Sequence, residues 1–123
     1  MPKKILIIED DSFLQGLAAG KLSKDGFQVL TASTGEDAVK IADSENPDFV
    51  LLDLVLPAMD GFTVLEKIRS NAALAKTPVI VFSNLSEDKD IAHARELGAT
   101  DFMIKSNFTL DELSDKIKSI LGL

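Results

Sequence analysis

The chain has no cysteine among its 123 residues, so it can form no disulfide, hold no metal through thiolate and use no cysteine nucleophile. It also has no tryptophan, which removes intrinsic tryptophan fluorescence as a probe. Its one histidine, His93, falls in a helix-like segment and is read as part of that helix face, not as a group-carrying imidazole. Clustered positive charge is missing too. The 13 Lys and Arg are outnumbered by 20 Asp and Glu, for a formal charge of -7, and apart from Lys3-Lys4 the basic residues are scattered. That balance disfavours direct nucleic-acid binding and an anionic membrane surface, both of which want a basic patch, and neither is expected as a partner. Long apolar runs are absent. Ile5 to Ile8 follows the lysine pair but stops at Glu9-Asp10-Asp11, too short for a signal sequence or a membrane span. With no linker, repeat or low-complexity stretch, residues 1–123 are expected to form one soluble, cytoplasmic domain.

What is present is an alternation of short apolar runs with longer amphipathic ones. Ile5–Ile8, Phe27–Leu30, Phe49–Leu52, Val79–Phe82 and Phe102–Ile104 are β-branched or aromatic-rich and bounded by Gly, Pro, Asp or Asn, so they read as strands. Three of them are continuously apolar, as in strands covered on both faces of a parallel sheet. Between them, helices are expected over residues 12–24 (Leu14, Leu17, Ala18, Leu22), 35–45 (Ala38, Val39, Ile41, Ala42), 61–71 (Phe62, Leu65, Ile68) and 87–97, the last after a Ser86 cap. Asp11 or Ser12 caps the first. The final helix has the clearest start: Thr109 and Glu112 form a capping box, and Phe108 and Leu113 are spaced as a hydrophobic staple. Five βα units in sequence imply a five-stranded parallel, doubly wound (βα)5 sheet of flavodoxin-like type, with right-handed crossovers. Its site should lie at the carboxyl ends of the strands, near the switch in strand order.

Those ends carry Glu9-Asp10-Asp11, Asp53, Ser83-Asn84 and Lys105. Each has an ordinary structural reading: a carboxylate after a strand often caps the next helix, Lys105 could be a solvated strand end, and Ser83 a turn hydroxyl. Together they are harder to dismiss. Two carboxylates at close contact repel by about 4 kcal/mol at an effective dielectric near 20, and a hard divalent cation is the natural offset. Mg²⁺ takes a few carboxylates while keeping water and substrate phosphate in its shell. Asp53, next to a metal and a lysine, could act as a nucleophile toward phosphorus, with Ser83 and Lys105 holding the transferred oxygens.

In Glu9-Asp10, Asp53, Pro57 with Asp60-Gly61, Ser83, Phe102 and Lys105, the chain resembles the response-regulator receiver domains of bacterial two-component signalling, over essentially its whole length. The resemblance implies that Asp10, Asp53 and the Val55 carbonyl ligate Mg²⁺, with Glu9 acting through water. It implies that Asp53 takes a phosphoryl group from a phosphohistidine on a sensor histidine kinase or phosphotransfer protein and that Lys105 pairs with it. Ser83 would then move toward the phosphoryl group and Phe102 inward, as a shift between two existing arrangements. A downstream protein target, or a homodimer of phosphorylated copies, would read helix 4, strand 5 and helix 5. Such a chain is a signalling switch and not an enzyme, promoting only its own phosphorylation and dephosphorylation.

Two positions depart from the family pattern. Ser106 follows Lys105 where the family commonly has a cis-bonded proline, and without proline the bond is expected to be trans. Asn84 stands after Ser83 in place of a smaller residue. Val55 and Leu85 offer no group to orient water, so slow hydrolysis of the phosphorylated form is expected. A phosphatase using an aspartyl phosphate would want a second acid at position 55, and a nucleotide or flavin binder would want glycines after strand 1; both are absent. The remaining alternatives are a docking module that works without phosphorylation, or a receiver from a longer regulator.

Overall fold

Ile5, Leu6, Ile7 and Ile8 are each at most 1 % exposed, and the molecule is built around them. The computed structural model describes residues 2–123. Its elements, in order, are β1 (Lys4–Ile8), α1 (Ser12–Lys24), β2 (Gln28–Ala32), α2 (Gly35–Glu45), β3 (Phe49–Leu52), α3 (Gly61–Ser70), β4 (Val79–Ser83), α4 (Asp88–Glu96), β5 (Asp101–Ile104) and α5 (Leu110–Leu121). Short 3-10 turns occupy Ala72–Leu74 and Lys105–Asn107. All strand pairs are parallel, in the order β2-β1-β3-β4-β5, so the five-stranded doubly wound sheet is as the alternation implied. The order reverses between β1 and β3, which places the carboxyl ends of those two strands at the switch point.

The two faces of the sheet are sorted by the period-two alternation of strand side chains. Leu6, Ile8, Val50 and Leu52 pack with Ala38 and Ala42 of α2 and with Val64, Leu65 and Ile68 of α3. Ile5, Ile7, Phe49, Leu51 and Ile80 pack on the other face with Leu22 of α1 and with Leu113 and Ile117 of α5. A smaller cluster of Leu54, Val81 and Ala94 seats α4, with Phe62, Leu85, Ala99 and Phe102 partly buried around it. No helix among the described residues is long and apolar enough to cross a membrane.

The boundaries depart from the sequence reading in physically instructive ways. β2 runs from Gln28 to Ala32 rather than over 27–30, because pairing with Lys4–Ile8 draws Thr31 and Ala32 into the ladder. α4 begins one residue after Glu87, which sits at its cap position without a side-chain cap bond, so Ser86 does not cap it. In α1 the cap is Asp11, whose carboxylate accepts from the N–H groups of Phe13 and Leu14. Ala18 and Leu22 are buried as expected, but Leu14 and Leu17 remain 41 % and 44 % exposed. The capping box of α5 is present in full. Arg69 was not anticipated. Its guanidinium donates to the carbonyls of Leu74, Thr77 and Gly98, fastening the carboxyl end of α4 to the connection between α3 and β4.

Candidate functional site

The backbone ladder continues one residue past the strands and delivers the two central acids. The Glu9 N–H donates to the Ala32 carbonyl and the Asp53 N–H to the Ile8 carbonyl, each at 3.0 Å. The turn after β1 is held by Gln15, whose side-chain amide donates to the carbonyls of Glu9 and Ala32 and to the Ser33 hydroxyl. Glu9 and Asp53 are consequently buried, at 6 % and 7 % exposure. Asp10, next in sequence, faces solvent. One carboxylate oxygen from each of Glu9, Asp10 and Asp53 falls within 4.8 Å of the others.

Lys105, first residue of the turn after β5, reaches across to both buried acids. Its ammonium donates to Asp53 Oδ2 at 2.8 Å and to Glu9 Oε1. Burial pulls the Lys105 pKa down, but the hydrogen bonds to Asp53 and Glu9 outweigh it, and the ammonium ends above its ordinary value. Glu9 is pushed upward: burial dominates, the bonds from Lys105 and the Asp11 N–H oppose it, and the Asp53 charge adds to the rise. One ammonium therefore faces three carboxylates, leaving an excess of negative charge among hard oxygen donors. That donor set suits a hard divalent cation and disfavours a soft one.

Asp53 Oδ1 accepts from the Val55 N–H at 3.1 Å, which ties the carboxylate to the loop that follows it. Val55 itself is 57 % exposed. The loop turns through Ala58, whose φ of 63 is in the left-handed region, and returns so that the Gly61 N–H donates to the Leu54 carbonyl at 2.9 Å. A Cβ on Gly61 would lie 2.4 Å from Leu54 Cα and 2.5 Å from the Asp53 carbonyl oxygen, so only glycine permits this approach. Ser83 is fully buried, and its hydroxyl accepts from the Leu85 N–H at 3.4 Å. Phe102 is half-buried beside Leu85 in the α4 cluster. There is no cis peptide bond among the described residues, and Lys105–Asn107 form a 3-10 turn instead. The structure thus brings Glu9, Asp10, Asp53 and Lys105 together, with Ser83 turned into its own loop.

Beside this cluster a cleft of about 330 Å³ runs between α1 and the start of α5, lined by Leu14, Leu17, Phe82, Asn84 and Phe108 along with Asp53 and Lys105. Leu14 and Leu17, apolar positions of the helix expected over residues 12–24, belong to the site's rim. The available signal was their company: α1 is apolar on several sides, with Phe13 also 72 % exposed.

Comparison with known proteins settles the family. The model of the response regulator receiver domain matches residues 5–118. The chain belongs to the response-regulator receiver family. It is 36% identical over 121 residues to the alkaline phosphatase synthesis transcriptional regulatory protein PhoP of Bacillus subtilis, covering 98% of this chain and 49% of that protein. The chain therefore spans about half the length of the curated relatives it matches. Among solved structures, the BeF3-activated N-terminal receiver domain of Klebsiella pneumoniae RstA superposes with a TM-score of 0.86 at 29% identity, covering 94% of this chain and 96% of that one. The chemotaxis protein CheY4 of Vibrio cholerae gives 0.92 at 22% identity, covering 98% and 99%; at that identity the likeness speaks for the fold. The acidic cluster of Glu9, Asp10 and Asp53 fits the receiver metal site, and receiver domains work with histidine kinases and downstream effectors.

Proposed function

We propose that this receiver is a phosphorylation-dependent switch in which Asp53 accepts a phosphoryl group from a phosphohistidine. The observation that carries this reading is the buried Asp53 carboxylate held at 2.8 Å by Lys105 within an acidic cluster. A carboxylate oxygen of Asp53 forms the new O–P bond as the N–P bond to the donor imidazole breaks, and the imidazole leaves with that electron pair. Asp10, Asp53 and the Val55 carbonyl would hold Mg²⁺, with Glu9 reaching it through water. When bound, Mg²⁺ supplies Lewis-acid stabilisation of charge building on the phosphoryl oxygens. Lys105 keeps its hold on the site and pairs with the transferred group. Ser83 leaves its Leu85 N–H for a phosphoryl oxygen, and Phe102 follows into the space behind it. The state favoured by these contacts presents a changed α4–β5–α5 surface to a downstream protein or a second phosphorylated copy.

The phosphodonor protein docks on α1, where Phe13, Leu14 and Leu17 expose apolar surface at the rim of the cleft that opens on Asp53. Residues 1–123 act as one receiver unit in the cytoplasm. The unit promotes only its own phosphorylation and dephosphorylation, and its acidic balance leaves DNA contact to whatever lies outside it. The test is intact mass after incubation with Mg²⁺ and acetyl phosphate, beside Asp53→Asn. A single phosphoryl adduct that requires both Mg²⁺ and Asp53 supports the switch. A folded protein that takes no adduct would instead be a docking module independent of phosphorylation.

A further inference from the structure

A second route leads from Asp53 to α4, and it does not pass through Ser83 or Phe102. It begins at the loop closure already described: the Asp53 carbonyl and Leu54 lie against Gly61, and the Gly61 N–H is bonded to Leu54. The next residue, Phe62, stacks on the ring of His93 in α4, with centroids 4.4 Å apart and planes inclined by 23°. Every link in this path is a direct contact, and its first link is tied to the Asp53 carboxylate, because Oδ1 accepts from the Val55 N–H on the far side of Leu54.

The helix it reaches is held unevenly. At the carboxyl end, Arg69 makes two hydrogen bonds to the Gly98 carbonyl, at 3.0 and 2.8 Å. At the amino end, Glu87 provides no side-chain cap, so that end lacks the bonds that usually fix a helix start. α4 is thus held through Ala94, buried against Leu54 and Val81, and at Gly98, but less at its amino end, and His93 lies midway between Gly98 and Asp88. A small displacement of the stack becomes a larger one at Asp88.

We infer that the Phe62–His93 ring stack carries a change at Asp53 to α4, making Phe62 and His93 positioning residues of the switch. The inference rests on the reading of Asp53 as acceptor. The two rings are coupled by an offset contact with defined geometry, so displacing Phe62 re-aims the helix instead of merely loosening it.

His93 is the only histidine, so its two imidazole C–H resonances identify themselves in the spectrum of an isotopically labelled chain. The experiment adds Mg²⁺ and beryllofluoride, a stable mimic of an aspartyl phosphate, to the wild type and to Phe62→Leu, His93→Leu and His93→Phe. In the wild type the Val55 amide, the His93 imidazole signals and the amides of 88–96 should all move. In the two leucine variants the Val55 amide should move as before, while displacement across α4 falls by half or more; His93→Phe, which keeps a ring, should restore it. An α4 response unchanged by either leucine variant overturns the inference, as does a loss that His93→Phe fails to rescue, since plain packing would then explain it. A wild-type Val55 amide that stays in place overturns the acceptor reading itself, and this inference with it.

Discussion

Replacing Gly61 with alanine tests the closure of the Asp53 loop on purely steric grounds. The added Cβ would sit 2.4 Å from Leu54 Cα and 2.5 Å from the Asp53 carbonyl oxygen. Both are backbone atoms, so no side-chain rotation relieves the overlap. Overpacking of a closed site costs about 1–3 kcal/mol. Removing a glycine from the unfolded chain returns only about 0.4–1 kcal/mol, so the overlap wins at most sites of this kind. A net loss of about 1–2 kcal/mol is expected, which at this chain length lowers the melting temperature by roughly 4 °C per kcal/mol. Urea unfolding followed by far-ultraviolet circular dichroism reads the loss without needing tryptophan. Phosphorylation of Asp53 should slow as well, because Asp53 must shift to admit the methyl group. Gly16→Ala and Gly20→Ala are the matched controls: both lie in α1 with nothing within 4 Å of the new Cβ, and each should stabilise by about 0.5–1 kcal/mol. If Gly61→Ala matched the wild type in both stability and phosphorylation, the close approach would have no role.

Three further outcomes follow from the same geometry. Arg69→Leu removes hydrogen bonds to three carbonyls and should cost about 2–3 kcal/mol, with amide exchange rising first around Gly98. Asp25 is held below its ordinary value of 3.8, chiefly by the Ser114 hydroxyl at 2.5 Å, against burial and with help from Lys21. A depressed carboxylate stabilises above its unfolded pKa and loses that contribution as pH falls through the folded one. Ser114→Ala should therefore flatten the acid limb of the urea midpoint plotted against pH, and an unaltered limb would contradict the assignment. Val55→Asn should shorten the lifetime of the phosphorylated form by less than the roughly 10²-fold that a well-placed general base contributes, since an amide orients water without taking its proton; a longer lifetime would refute this.

Much of the molecule could be read from the chain because period and position carry most of the information in a βα repeat. The runs at Ile5–Ile8 and Phe49–Leu52 are buried on both faces, and continuous apolar sequence is the mark of that burial. Thr109 and Glu112 are three residues apart, a local relation that survives folding unchanged. The acids and Lys105 could be placed at strand ends because topology alone sends them to one edge. What could not be read depends on distances between segments far apart in sequence. Nothing near Lys105 says that it reaches both Glu9 and Asp53, 96 and 52 residues away. Likewise Arg69 finds its carbonyls only after α3 and α4 have docked. Leu14 and Leu17 satisfy a helical stripe equally well as core or as rim, and only the packing of α5 decides. The β2 boundary moved for a similar reason: its length is set by its partner β1.

Ala58 gives the Asp53 loop a different thermodynamic character from the sheet beneath it. An L-residue other than glycine, held in the left-handed region, carries a standing penalty of about 1–2 kcal/mol, and asparagine tolerates that region better than alanine. The chain thus keeps a latent reserve of stability next to its most reactive group, one substitution away. Drawing on it through Ala58→Asn should raise the urea midpoint while making the loop more reluctant to rearrange around a modified Asp53. In that view residues 54–60 are a spring kept under tension on a rigid base, and an engineer who relaxed it would gain a hardier protein and a duller switch.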